Sequence, residues 1–91
     1  MNRPSSLNEP LSLKGRRALI TGSGHGIGQS IARKLAHAGA QVILHGRKDT
    51  AALRDLSEEL RALPWGNGLI LADLSTTQGC TALIQEVQEN Y

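Results

Sequence analysis

Thr21-Gly22-Ser23-Gly24-His25-Gly26-Ile27-Gly28 is the stretch on which the reading of this 91-residue chain turns. It follows an apolar run, Ala18-Leu19-Ile20, and precedes a helix-forming segment from Gln29 to Ala38. A glycine-rich turn between a strand and a helix brings main-chain N–H groups close to a phosphate. Glycine suits the task because it tolerates positive φ and has no Cβ to hold a ligand away. The helix that follows adds its partial positive charge at the same place. Residues 21–28 are therefore expected to form an anion cradle. A turn that merely joins strand to helix is the plainer alternative.

Spacing narrows the choice of anion. A G-x-G-x-x-G fingerprint fails in every register, because its last glycine falls on Ile27, Gln29 or Ile31 when counted from Gly22, Gly24 or Gly26. A P-loop also fails, since no lysine follows any of these glycines at the required position. The order present is T-G-x-x-x-G-x-G. It resembles the cofactor loop of the short-chain dehydrogenase/reductase family, which binds NAD or NADP. The extended branch of that family uses T-G-x-x-G-x-x-G, and His25 stands where that pattern needs its second glycine.

Working outward from the loop, the chain alternates strand and helix three times. Residues 17–21 form the first expected strand, its unbroken apolar run pointing to cover on both faces. A helix over about 26–38 carries Ile27, Ile31 and Leu35 as one stripe toward the sheet, and Gly39 is placed to end it. Gln41 to His45 is the second strand. Asp49 or Thr50 caps a helix over about 50–63, seamed by Leu53, Leu56, Leu60 and Leu63 and stopped by Pro64. Asn67-Gly68 marks a turn, and Leu69 to Ala72 is the third strand. Ser75 and Gln78 form a candidate capping box for a third helix that buries Leu83, Ile84 and Val87. Such an order predicts an α/β fold with a parallel sheet and right-handed crossovers.

The resemblance covers residues 13–91 and implies the N-terminal half of a Rossmann-type doubly wound parallel sheet, built from three βα units. Residues 1–12, with Pro4 and Pro10, are expected to be a flexible leader before this partial dinucleotide-binding domain. In that fold the first strand lies between the second and a fourth, which is absent here. Residues 17–21 should then present an open apolar edge.

The tip of the second strand bears on the cofactor. A carboxylate there would bind the ribose hydroxyls of NAD and repel the extra phosphate of NADP. Here the tip reads His45-Gly46-Arg47-Lys48, with no carboxylate and two cations. Arg47 can grip a phosphate with paired N–H bonds. NADP is therefore expected over NAD, with ordinary solvated loop charge as the bland alternative. Relatives that use NADP commonly carry a basic residue where Arg47 stands, and some carry one where His25 stands. Asp73-Leu74 follows the third strand, where the family often places an Asp that meets the adenine amine and an apolar residue that lines the ring. Asp73 can equally cap the following turn. The candidate cofactor-binding residues are Thr21, Gly22, Ser23, Gly24, His25, Gly26, Ile27, Gly28, Arg47, Lys48, Asp73 and Leu74. Trp65 is expected to pack the end of the second helix. His37 and His45 have no evident partner that would make either a catalytic base.

Other classes are disfavoured. Residues 1–50 carry eight basic and two acidic side chains and residues 51–91 two and six, so +6 and −4 give the net +2. Without a long basic run or a stacking platform, nucleic-acid binding is not expected. Cys80 is the sole cysteine, so no internal disulfide forms, and the histidines show no metal-ligand spacing. Neither a secretory signal nor a run approaching a membrane span is visible, which points to the cytoplasm.

The family's chemistry uses a serine, a tyrosine and a lysine in Y-x-x-x-K, supported by an asparagine, and an N-N-A-G stretch after its fourth strand. None of these is found; Tyr91 is the last residue. No catalytic residue is therefore assigned. The expected function is the cofactor-binding fragment of an NADP-dependent oxidoreductase that interconverts a carbonyl and a secondary alcohol. Its partner would be a small-molecule substrate, and the complete protein is expected to be a homo-oligomer. The alternative is a non-catalytic nucleotide-binding or regulatory module.

Overall fold

The three strand–helix units form in the expected order: β1 (Arg17–Ile20), α1 (Gly26–His37), β2 (Gln41–Gly46), α2 (Ala51–Leu60), β3 (Asn67–Leu71) and α3 (Thr77–Asn90). The computed structural model describes residues 12–91, so the expected leader lies outside the described residues except for Ser12, which is exposed. The strands pair in parallel in the order β1-β2-β3, with Ile20 beside Leu44 and Leu44 beside Leu69. This is one arm of a doubly wound Rossmann-type sheet, with β2 central and β1 at an edge.

Strand alternation divides the core in two. On one face Val42 and Leu44 meet Ala32 and Ala36 of α1 and Leu53, Leu56 and Leu60 of α2. On the other, Ile43 and Ile70 meet Leu83 of α3, with Val87 and Tyr91 packed alongside. Because two helices cover one face and only α3 the other, β2 alone is buried along nearly its whole length. The expectation that β1 is covered on both faces is not met: Leu19 is 38% exposed, because α3 packs over β3 and does not reach β1.

Helix α1 turns differently from its large apolar stripe. Ile27 is 80% exposed and Ile31 44%, while Ala32 and Ala36 are buried. The small residues let the helix axis approach the sheet, and Leu35 fills the flank. A Schellman motif ends α1: Gly39, at φ 110°, donates to Ala36 O and Ala40 donates to Leu35 O. Thr50 caps α2 by accepting from Leu53 N. The helix stops at Leu60, short of the expected Leu63, and the reversal comes at Pro64-Trp65-Gly66, with Gly66 at φ 78°. Asn67 and Gly68 are strand residues rather than a turn. Trp65 donates its indole N–H to Ala36 O, tying this reversal to α1 rather than to the end of α2. For α3 the cap is Thr76, which accepts from Gly79 N, and Ser75 turns instead to Asp73. Ile84 lies 55% exposed on the outer side of α3.

Candidate functional site at the carboxyl ends of the strands

The glycine loop is fixed from below by β2. Thr21 is exposed where β1 ends, and Gly22 turns the chain at φ 63°, the one residue of the loop in the left-handed region. Ser23 is fully buried and clamped to His45. Its hydroxyl accepts from His45 N (2.9 Å) and donates to His45 O (3.0 Å), and its own N–H donates to the same carbonyl (2.9 Å). The Ser23 hydroxyl is thus engaged within the protein and faces away from solvent.

Helix α1 begins directly above. Its N-cap, His25, is extended (φ −132°, ψ 152°) and its side chain caps nothing. The N–H groups of Gly26, Ile27 and Gly28 lie in the first turn, which has no intrahelical acceptor to offer them, and no other acceptor meets them among the described residues. A Cβ on Gly26 would meet nothing within 4 Å, so the main chain is bare on that side. A Cβ on Gly28 would stand 2.5 Å from Gly22 O, so this glycine serves the packing of helix on loop. Bare amides, a helix N-terminus and no acidic side chain in the first turn fit a phosphate.

At the tip of β2, Gly46 lies against Leu53; a Cβ there would stand 2.5 Å from Leu53 Cδ2. The chain then leaves the sheet, and Arg47 and Lys48 are exposed. A cavity of about 410 Å³ opens between the two loops, lined by Gly22, Gly24 and His25 on one side and Gly46, Arg47, Lys48 and Thr50 on the other. That volume is in the range of small-molecule sites. None of its lining residues is acidic. A larger groove of about 590 Å³ runs beside the amino end of β3, between Arg61, which follows α2, and Tyr91, away from the glycine loop.

After β3, Asp73 Oδ1 accepts from both the hydroxyl (2.7 Å) and the N–H (3.0 Å) of Ser75. The Ser75 hydroxyl, then its N–H, hold the Asp73 carboxyl below the usual carboxylate range, and the charge of Arg47 acts in the same direction. The turn-capping role of Asp73 is thus present in the structure, while Oδ2 has no hydrogen-bond partner among the described residues. Leu74 packs partly buried against the α3 face of the sheet.

Sequence reasoning left His45 without a partner, yet its ring is among the most connected groups of the site. It is 5% exposed, with Nδ1 3.1 Å from Gly22 N and Nε2 2.9 Å from Ala72 O. Strand parity held the signal: His45 follows Ile43 on the α3 side of β2, at the end where β1 and β3 also finish. Among the described residues no three potential metal ligands come together, and no helix is long and apolar enough to cross a membrane.

The family model described as short chain dehydrogenase matches residues 16–91. The chain belongs to the short-chain dehydrogenase family. It is 41% identical over 81 residues to the oxidoreductase YvaG of Bacillus subtilis (strain 168), covering 87% of this chain and 30% of that protein. Among solved structures it is similar to the Pseudomonas aeruginosa RhlG/NADP active-site complex, with a TM-score of 0.79 and 42% identity over 91% of this chain and 32% of that one. It is also similar to a 3-oxoacyl (acyl-carrier-protein) reductase from Agrobacterium tumefaciens C58 with NADP bound, with a TM-score of 0.76 and 39% identity over 88% and 31%. The chain thus spans about a third of the length of these family members.

Proposed function

We propose that this chain is the NADP-binding part of an oxidoreductase that interconverts a carbonyl and a secondary alcohol. One observation carries the cofactor choice: the cavity that joins the glycine loop to Arg47 and Lys48 has cations and no carboxylate on its walls. The amides of Gly26, Ile27 and Gly28 would hold the pyrophosphate, with Thr21, Gly22, Ser23 and Gly24 shaping the turn beneath them. Arg47 and Lys48 would hold the 2′-phosphate of the adenosine ribose, with His25 on the opposite wall. Asp73, through its free Oδ2, and Leu74 would meet the adenine. When bound, the cofactor supplies the hydride. The residues of this chain bind and orient its ADP half.

Two NADP-bound structural neighbours support the same choice. The serine–tyrosine–lysine chemistry of the family and the substrate pocket would belong to sequence outside this chain, in keeping with its one-third span of its relatives. We place the complete protein in the cytoplasm as a homo-oligomer acting on a small molecule. Calorimetry with 2′-phospho-ADP-ribose and ADP-ribose tests the reading. The phosphorylated fragment should bind at least about tenfold tighter, the effect of one charge-assisted hydrogen bond at an exposed site. Equal affinity would contradict the NADP assignment. Uptake of the fragment by the complete protein without any reductase activity would favour a regulatory module instead.

A further inference from the structure

We infer that His45 is a positioning residue that couples the pyrophosphate loop to the adenine-side turn through the two nitrogens of one buried imidazole. The inference rests on the ADP site proposed above and adds to it a role for His45, which borders the same cavity but has both ring nitrogens engaged by main chain. A main-chain N–H only donates and a carbonyl only accepts, so the two partners fix the ring state. Nδ1 must be the acceptor for Gly22 N–H, and Nε2 must carry the proton given to Ala72 O. The ring is therefore neutral in this arrangement.

Each arm acts on a different wall of the site. Drawing the Gly22 N–H inward fixes the residue whose own carbonyl, one peptide further on, lies against Gly28, so the imidazole helps to set the seat of the first turn of α1. The other arm holds the carbonyl of Ala72, the residue before Asp73, while Ala72 N–H donates to Gly46 O at 3.1 Å. Main-chain groups of His45 grip Ser23 at the same time. One residue thereby ties the carboxyl ends of β1, β2 and β3 to one another. Movement of the phosphate loop is felt at the adenine turn.

The test uses NADP binding to the protein that carries this chain, with His45→Leu, which removes both arms, and His45→Asn, whose side-chain oxygen can replace Nδ1 but cannot reach Ala72. The Leu variant should bind NADP about tenfold more weakly, as expected for two lost or unsatisfied hydrogen bonds. The Asn variant should recover only part of that loss, because it restores the loop arm and leaves Ala72 O without its donor. Equal NADP affinity in wild type and the Leu variant would overturn the coupling, as would an Asn variant that binds as tightly as wild type or no better than Leu. If the Leu variant does not fold, nitrogen-15 spectra of the wild type decide. Nε2 of His45 should carry the proton, and NADP should shift the Nδ1 resonance; a protonated Nδ1, or no shift on saturation, overturns the inference. Failure of the wild type to bind NADP would instead sink the proposed function.

Discussion

The carbonyl of Gly22 occupies the place where a side chain on Gly28 would begin: a Cβ there would lie 2.5 Å from that oxygen and 3.0 Å from Ser23 Cα. Both neighbours are main chain and cannot swing aside. Gly28→Ala should therefore destabilise the domain by about 2 kcal/mol, the usual scale of overpacking, and lower its melting temperature. Gly26→Ala meets nothing and should leave stability within about 0.5 kcal/mol. Its methyl would, however, stand beside the bare amides and weaken NADP uptake by about tenfold or more. Thermal melts paired with calorimetry separate the two glycines.

Arg47→Asp should move cofactor preference toward NAD. The change removes a guanidinium from the cavity wall and places a carboxylate where ribose hydroxyls would be met. Losing one charge-assisted bond of about 1.5–3 kcal/mol corresponds to roughly ten- to hundredfold, and the exposure of Arg47 favours the lower figure. The ratio of NADP to NAD affinity, measured by calorimetry, reads this directly. An unchanged ratio would remove Arg47 from the ribose site.

Acid should loosen the fold in a defined window. Hydrogen bonds from Arg33 hold Glu59 below its ordinary value, those from Arg54 do the same for Asp49, and those from Ser75 for Asp73. A carboxyl whose folded pKa is depressed contributes stability that is fully present above its unfolded pKa, near 4, and is lost as pH falls through the folded value. Urea midpoints should therefore drop as pH falls below about 4, through the folded values of these carboxyls. Glu59→Gln should shallow that drop by removing the pair that joins α1 to α2. A midpoint independent of pH down to 3 would show that these surface pairs contribute nothing.

Thr76 and Ser75 should behave differently although they are neighbours. Thr76→Ala removes the N-cap of α3 and should cost about 1 kcal/mol in equilibrium unfolding. Ser75→Ala should cost less, but it removes the hydroxyl donor to Asp73 Oδ1, leaving only the Ser75 N–H, and should raise the Asp73 carboxyl part of the way toward its ordinary value, visible by carbon-detected titration.

The architecture was legible because three apolar runs alternate with three helical segments, and the glycine spacing located the loop and the family. What escaped was chosen by packing. The stripe of Ile27 and Ile31 has helical period, but so do Ala32 and Ala36, and small residues win where a helix must lie close to a sheet. The cover expected over Leu19 failed because an apolar run does not say which strands the helices reach. The turn assigned to Asn67-Gly68 moved to Gly66 because Gly66 takes the positive φ of 78° while Asn67 and Gly68 pair with Val42 and Ile43 of β2. His45 read as a strand end because its partners lie 23 and 27 residues away, beyond any local pattern. At the candidate site, the loop glycines and the Arg47-Lys48 tip were evident in one dimension. The closing of both around one cavity, with Thr50 and Leu53 completing its wall, required the fold.

The measurement closest to the central claim is an amide nitrogen–proton titration of the protein with NADP. The account predicts that the resonances of Gly26, Ile27 and Gly28 move together with those of Arg47 and Lys48. Saturation should follow one binding curve, while residues beside the β3 groove, such as Arg61 and Leu69, stay in place. Shifts confined to that groove, or a loop that does not respond at saturating NADP, would contradict it.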